Sequence, residues 1–175
     1  MLLKGIQRSF YILKRALLFG YGNPDREDDG VAWHVLCALV SAMGLTPPSS
    51  YEDEFPQSPS VDFAFQLQLT PELADDISAY DCVCFFDAHT GNIPEAVRLI
   101  EVESVFQRSP LTHHLTPQSL LSICETLHGG RPQAALLSVL GRQFRFSRSL
   151  SAETAALIPQ AVELASKWLA DKRIL

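Results

Sequence analysis

Residues Cys82–Phe86 form an uninterrupted apolar run that ends at Asp87. Such a run predicts a strand buried on both faces, because a strand with one solvated face alternates apolar and polar side chains. Strands of this kind are typical of the interior of a parallel sheet. A second short run, Ala16–Phe19, ends at the turn residues Gly20 and Gly22 and predicts another buried strand.

Helical patterns alternate with these strands along the chain. Val31–Met43 has apolar side chains on one helical face, and Thr116–Leu127 begins with a capping threonine and a proline. We expect Ser151 to cap one long final helix that is bent at Pro159. The remaining elements are expected strands at Val61–Leu69, Ala96–Val102 and Ala134–Leu140, and a short helix from Pro71 toward Ala79.

This alternation predicts an α/β fold. The 175 residues are 47% hydrophobic and 19% charged, which suits one packed domain. We expect a single-domain three-layer sandwich over residues 16–175, with a mostly parallel twisted sheet and helices on both faces. Residues 1–15 lack the continuous apolar stretch of a signal peptide and are expected to form a loose leader.

The charge balance disfavours several classes of partner. Fourteen basic and 20 acidic side chains give a net charge of −6, whereas nucleic acids and anionic membranes require a concentrated basic face. Arg142, Arg145 and Arg148 recur at three-residue spacing, which favours a solvated loop or strand edge over a nucleic-acid surface. No apolar run approaches the roughly 20 residues of a membrane span, so a cytoplasmic protein is expected.

The four cysteines do not predict a disulfide framework, because the chain shows no export signal. Cys82 and Cys84 would point to the same side of a strand. They are either half of a zinc site or small buried apolar side chains. The second interpretation is favoured, since no other pair of metal-binding residues has matching spacing.

The segment from Gly20 to Gly30 follows the first strand and is rich in acids. A glycine pair after a strand is typical of dinucleotide-binding turns, but here the third glycine position is Asp25 and the turn carries four acidic side chains. Because these acids would repel a pyrophosphate, the segment favours a cation instead. Either Asp28 or Asp29 is expected to cap the following helix, which leaves the other free.

Two further segments supply polar side chains where ligands bind in open parallel sheets, outside the carboxyl ends of the strands. Asp87 ends the buried run, and an acid there needs a hydrogen-bond partner or a metal. His113 and His114 precede the Thr116 helix, and their side chains diverge. Two carboxylates and one imidazole leave coordination positions open, as metal-assisted hydrolysis requires.

Three motifs occur in a fixed order along the chain: Gly20-Tyr-Gly-Asn-Pro24 with Asp28-Asp-Gly-Val31, a strand that ends in Asp87-Ala88, and Thr112-His113 before a leucine-rich helix. This combination resembles the hydrogenase maturation protease family. The resemblance runs from about Ala16 to Leu169. It implies an endopeptidase that removes the C-terminal extension of a nickel–iron hydrogenase large-subunit precursor.

The resemblance also implies roles for single residues. Asp29, Asp87 and His113 match the family's metal ligands and catalytic residues. The metal would be nickel already loaded into the precursor, and zinc or another divalent ion is expected to substitute in vitro. The implied partner is the large-subunit precursor, so the metal arrives with the substrate.

Three features depart from the family's pattern. The segment Asp62–Leu73 replaces a glycine-rich stretch, and Asp25-Arg26-Glu27 replaces the usual Leu-Arg-Gly. His89 and His114 are additional imidazoles near the expected ligands, either of which would assist or replace His113. Two alternatives follow: a non-proteolytic metal-sensing or metal-handling module, and a nucleotide-dependent enzyme on the same sheet, which the acidic turn disfavours.

Overall fold

A computed structural model describes residues 14–105 and 115–175. In this part of the chain, five strands form one sheet in the order β2-β1-β3-β5-β4. β4 is antiparallel to β5, and every other pairing is parallel. The strands are β1 (Ala16–Tyr21), β2 (Val61–Gln66), β3 (Cys82–His89), β4 (Val97–Val102) and β5 (Gln133–Leu140). The prediction of a mostly parallel sheet with the apolar run at its centre is confirmed.

Helices cover both faces of the sheet, so the predicted three-layer α/β sandwich is also confirmed. They are α1 (Val31–Ala42), α2 (Leu73–Ile77), α3 (Pro117–His128), α4 (Ala152–Ala155) and α5 (Ile158–Asp171). α1 and α5 pack on one face, and α2 and α3 pack on the other. None of the helices in the described ranges is long and apolar enough to cross a membrane.

The central strand β3 supplies both halves of the core. Cys82, Cys84 and Phe86 face the layer of α1 and α5, whereas Val83 and Phe85 face the layer of α2 and α3. All five are at most 2% exposed. Complete burial of a phenylalanine contributes about 2–3 kcal/mol, so this strand anchors both layers.

The cysteines of β3 are buried free thiols. Burial raises the pKa of Cys82 to about 11, so its thiol is protonated at neutral pH. No group of three potential metal ligands occurs among residues 14–105 and 115–175. The arrangement therefore supports the interpretation of Cys82 and Cys84 as small apolar side chains rather than half of a zinc site.

Local capping explains the helix boundaries. The Thr116 side chain accepts a hydrogen bond from the Ser119 amide, and Gly129 adopts a left-handed φ of 71° at the other end of α3. The predicted long final helix is wrong: Ser151 caps the four-residue α4, and α5 starts anew at Ile158. Pro159 lies in the first turn of α5, where its missing N–H costs no helical hydrogen bond, so it begins this helix rather than bending it.

The expected leader lies mostly outside the described residues, which begin at Lys14, and it stays a prediction there. Its last residue, Arg15, contacts the domain. The Arg15 amide donates to Asp81 at 2.8 Å, and its guanidinium pairs with Asp62 and lies over the Tyr80 ring.

Candidate functional site

A cavity of about 780 Å³ opens at the carboxyl ends of β1 and β3, on the face covered by α2 and α3. Asp29 and Asp87, the two predicted acidic ligands, both line it. The other lining residues come from the end of β1 and the turn after it, from the segment after β2 and from the start of α3: Tyr21, Gly22, Arg26, Leu67–Pro71 and Leu115–Pro117. The structure therefore brings together the first two predicted site residues, at the edge where parallel sheets bind ligands.

Asp28 is an anchor for a distant loop. Its side chain is completely buried, and its Oδ2 accepts hydrogen bonds from the amides of Arg142 (2.7 Å) and Gln143 (2.9 Å). The Ser151 amide donates to Oδ1, the Ser151 hydroxyl donates to Oδ2, and the Thr154 hydroxyl adds a fifth bond. Burial alone would raise the pKa of Asp28, but these hydrogen bonds outweigh it and lower the pKa to about 2.

The prediction that Asp28 or Asp29 caps the following helix is wrong. A 3₁₀ turn at Glu27–Gly30 precedes α1, and the N-cap of α1 is Gly30, which has no side chain to cap with. The donors that occupy Asp28 come from residues more than 110 positions away, so local sequence gave no sign of them.

Glu27 reinforces the same anchor. It is buried and accepts a hydrogen bond from the Arg145 amide at 2.9 Å, while its own amide donates to the Ser147 carbonyl. Its φ of 48° lies in the left-handed region that non-glycine residues rarely adopt, which costs on the order of 1 kcal/mol. The two tertiary hydrogen bonds offset that strain and fix the turn that carries Asp29.

Asp29 is the acid of this turn that faces the cavity. One carboxylate oxygen accepts a hydrogen bond from the Asn23 amide at 3.1 Å, which orients the side chain. Gly22 allows the approach, because its φ is 137° and a Cβ there would lie 2.1 Å from the Asp29 carbonyl oxygen. The glycine after β1 therefore packs the turn against Asp29, a role distinct from cradling a phosphate.

Asp87 lies within β3, two residues before its end, rather than at the strand end as predicted. Burial raises its pKa to about 6, and the negative charge of Asp29 acts in the same direction. Hydrogen bonding from Tyr21 and from the Ala88 amide opposes this rise. A carboxyl with a pKa of about 6 is largely ionised at neutral pH, so Asp87 remains available to bind a cation.

Tyr21 is a cavity residue that the sequence interpretation missed. Its ring lies on the same face of β1 as Leu17 and Phe19, because alternate residues of a strand share a face. Burial and the neighbouring Asp87 raise the pKa of the Tyr21 hydroxyl far above its ordinary range, so it stays protonated and donates hydrogen bonds. The two-residue period of β1 was the signal that would have found it.

A row of polar side chains extends from Asp87 across the sheet. Asp87 pairs with Ser138 on β5, and Ser138 pairs with Arg98 on β4, so the three side chains share a face. Ser138 is buried, and the Nε atom of Arg98 is buried without a hydrogen-bond partner in the described ranges. Sequence reasoning missed both, because only strand register places them beside Asp87.

The imidazole ligand remains a prediction. His113 and its competitor His114 both lie outside the described residues. His89 is buried on the same face as Asp87, and its Nδ1 accepts a hydrogen bond from the Gly91 amide at 3.2 Å. In a neutral ring this bond places the proton on Nε2, which is buried without a hydrogen-bond partner in the described ranges. The assistance expected from His89 stays a prediction.

The sequence matches no family model and no curated protein. Its structure is similar to the hydrogenase-maturating endopeptidase HybD from Escherichia coli, with a TM-score of 0.67 and 18% identity over 90% of this chain and 93% of that one. A hydrogenase 2 maturation peptidase from a Thaumarchaeota archaeon gives a TM-score of 0.59 at 23% identity, covering 90% and 99% of the two chains. The [NiFe] hydrogenase maturation protease HybD from Thermococcus kodakarensis gives 0.60 at 17%, covering 88% and 98%. The chain therefore has the fold of these maturation endopeptidases.

Proposed function

We propose that this protein belongs to the hydrogenase maturation protease family and is an endopeptidase. Its substrate would be a nickel–iron hydrogenase large-subunit precursor, from which it removes the C-terminal extension after nickel insertion. The observation that carries the proposal is that Asp29 and Asp87 line one cavity at the carboxyl edge of the sheet. The fold shared with named maturation endopeptidases supports it.

The donor set suits a divalent metal presented by a substrate. Asp29 keeps one carboxylate oxygen for the Asn23 amide, which leaves the other for a cation. Asp87, with a pKa of about 6, loses its remaining proton readily when a cation approaches. His113 would complete the set with an imidazole, and mixed carboxylate and imidazole ligands are acceptable to nickel.

Two carboxylates and one imidazole form a partial site, which agrees with a metal that arrives with the precursor. The metal would act as a Lewis acid on the scissile carbonyl. The described cavity lining contains neither serine nor cysteine, so water would be the nucleophile, either bound to the metal or adding to a carbonyl that the metal polarises. The Thr116 hydroxyl is engaged in capping α3.

The segment that departs from the family pattern lies in the cavity itself. Within it, residues Leu67–Pro71 follow β2 and line the cavity. Their replacement of a glycine-rich stretch would therefore alter the contacts with a substrate bound there. This departure is the observation that favours the second candidate function, a metal-sensing or metal-handling module without proteolysis.

A cleavage assay tests the proposal. The purified protein is incubated with the nickel-loaded large-subunit precursor from the same source, and mass spectrometry monitors loss of the C-terminal peptide. Nickel-free precursor should remain intact, and so should nickel-loaded precursor incubated with the Asp29→Asn variant. Asp76→Asn, an exposed acid on α2, is the matched control and should cleave normally.

Failure of the wild-type protein to shorten a native nickel-loaded precursor would overturn the protease assignment. If the wild type then binds nickel or zinc through Asp29 and Asp87, the metal-handling module is the better description. The expected cytoplasmic location belongs to the same proposal, and fractionation of the source cells would test it.

A further inference from the structure

Three exposed apolar side chains belong to segments that are connected to the cavity wall. Among residues 14–105 and 115–175, six large hydrophobic side chains are exposed. Three of them, Leu67, Val105 and Phe146, are 56%, 57% and 93% exposed and come from three separate segments of the chain. We call these three residues the apolar rim.

Each member of the rim either lines the cavity or is connected to its wall through one neighbouring residue. Leu67 lines the cavity itself. The Val105 amide donates to the Gln118 carbonyl at 3.2 Å, and Gln118 follows the lining residue Pro117. Phe146 precedes Ser147, which forms a β-bridge with the lining residue Arg26.

Acidic residues of the turn after β1 hold the loop that carries Phe146 in place. Asp28 accepts hydrogen bonds from the amides of Arg142 and Gln143, and Glu27 accepts one from the amide of Arg145. The Asp25 carbonyl accepts from the Ser147 amide, and the Asp25 carboxylate accepts from the Arg148 guanidinium. Phe146 is therefore presented to solvent on a fixed backbone. Because the backbone is already held, a partner that covers Phe146 has only the side-chain rotamer left to fix.

Two arginines, Arg26 in the cavity wall and Arg142 in the loop of Phe146, add positive charge. Arg26 and Arg142 are exposed, and neither guanidinium forms a salt bridge within the described ranges. By contrast, Arg145 pairs with Glu27 and Arg148 pairs with Asp25, so two of the loop's three arginines are already neutralised. This leaves too little free positive charge for a nucleic acid, and it favours an apolar protein surface that carries a few carboxylates.

We propose that the apolar rim docks the folded body of the substrate precursor, while the cavity receives the extension that is cut. The inference rests on the proposed function and assigns it a second contact region outside the cavity. Continuity of the rim with the cavity wall selects this occupant, because a protein whose tail enters the cavity must cover the mouth. Aromatic and arginine side chains at such positions commonly dominate binding.

The test compares binding of two ligands by biolayer interferometry: the nickel-loaded precursor, and a synthetic peptide of its C-terminal extension. Phe146→Ser should weaken binding of the precursor about tenfold or more and leave peptide binding unchanged. Phe146→Leu, which keeps an apolar side chain, should retain most of the affinity. Leu127→Ser is the control, since Leu127 is 63% exposed on α3 away from the rim.

Each outcome is decisive once circular dichroism has verified equal folding. Wild-type affinity in Phe146→Ser, with cleavage intact, overturns the docking role and leaves the proposed function standing. Equal weakening by Phe146→Ser and Leu127→Ser overturns it as well. Loss of peptide binding in Phe146→Ser would show that the rim holds the extension instead of the folded body. A wild-type protein that neither binds nor cleaves the precursor refutes the proposed function together with this inference.

Discussion

Replacing Asp28 with alanine should destabilise this protein more than any other change in the acidic turn. The substitution removes the acceptor of five hydrogen bonds, with donor–acceptor distances of 2.7–2.9 Å, in a completely buried position. The hydroxyls can find other partners, as Thr154 already does at the Leu140 carbonyl. The amides of Arg142, Gln143 and Ser151 cannot turn away.

Each buried amide left without an acceptor costs about 1–3 kcal/mol, and partial relaxation of the loop reduces the sum. We therefore expect Asp28→Ala to lower the free energy of unfolding by about 3–5 kcal/mol. Asp28→Asn keeps one acceptor oxygen but turns an NH₂ group toward several donors, so its loss should be similar. For a chain of this size the midpoint of thermal unfolding should fall by about 10 °C.

Urea unfolding followed by circular dichroism measures this loss, with Asp76→Asn as the matched exposed control. Acid provides a second measurement. The pKa of Asp28 is lowered from 3.8 to about 2, so its contribution is complete above pH 4 and is lost as the pH falls toward 2. The stability difference between wild type and Asp28→Asn should therefore shrink by about 2 kcal/mol over this interval. A difference below about 1 kcal/mol at pH 7, or one independent of acid, would refute the reasoning.

Three further predictions concern the cavity. Asp29→Asn, Asp87→Asn and His113→Ala should each reduce precursor cleavage at least about 100-fold, while thermal unfolding stays within a few degrees of wild type; full activity in any of them contradicts the ligand assignment. Tyr21→Phe removes the hydrogen bond to Asp87 and should change the affinity for Co²⁺, measured by absorbance titration, about tenfold, whereas an unchanged affinity would show that Tyr21 only fills space. Gly22→Ala places a Cβ 2.1 Å from the Asp29 carbonyl oxygen, so soluble protein with wild-type stability would disprove the close approach.

Local signals in the sequence were sufficient for most of the fold. The apolar run Cys82–Phe86 predicted a central strand, and the observed β3 is the central strand of the sheet. Thr116 predicted the start of α3 because capping depends only on residues within one turn. The final helices were predicted less well. Pro159 lies in the first turn of α5, but the same local pattern is expected for a proline that bends one longer helix.

The site was predictable only in part, because its geometry depends on strand register. The two-residue period of β1 was available in the sequence and places Tyr21 on the face of Leu17 and Phe19. Nothing comparable identified Ser138 and Arg98, whose position beside Asp87 depends on pairing between strands far apart in the chain. His113 and His114 lie outside the described residues, and the choice of His113 over His114 rests on the resemblance.

The acidic turn at Glu27–Gly30 has both a structural role and a role in the proposed site. Its three consecutive acids differ in role: Glu27 and Asp28 bind the loop at 141–151, and Asp29 faces the cavity. Since Asp29 shares a rigid 3₁₀ turn with Asp28, loss of the Asp28 anchor should displace Asp29 as well as loosen Phe146. Asp28 variants should therefore lose stability, cleavage and precursor docking together, whereas Asp29→Asn loses cleavage alone. An Asp28 variant that is unstable yet cleaves and docks normally would show that the turn keeps its shape without its anchor.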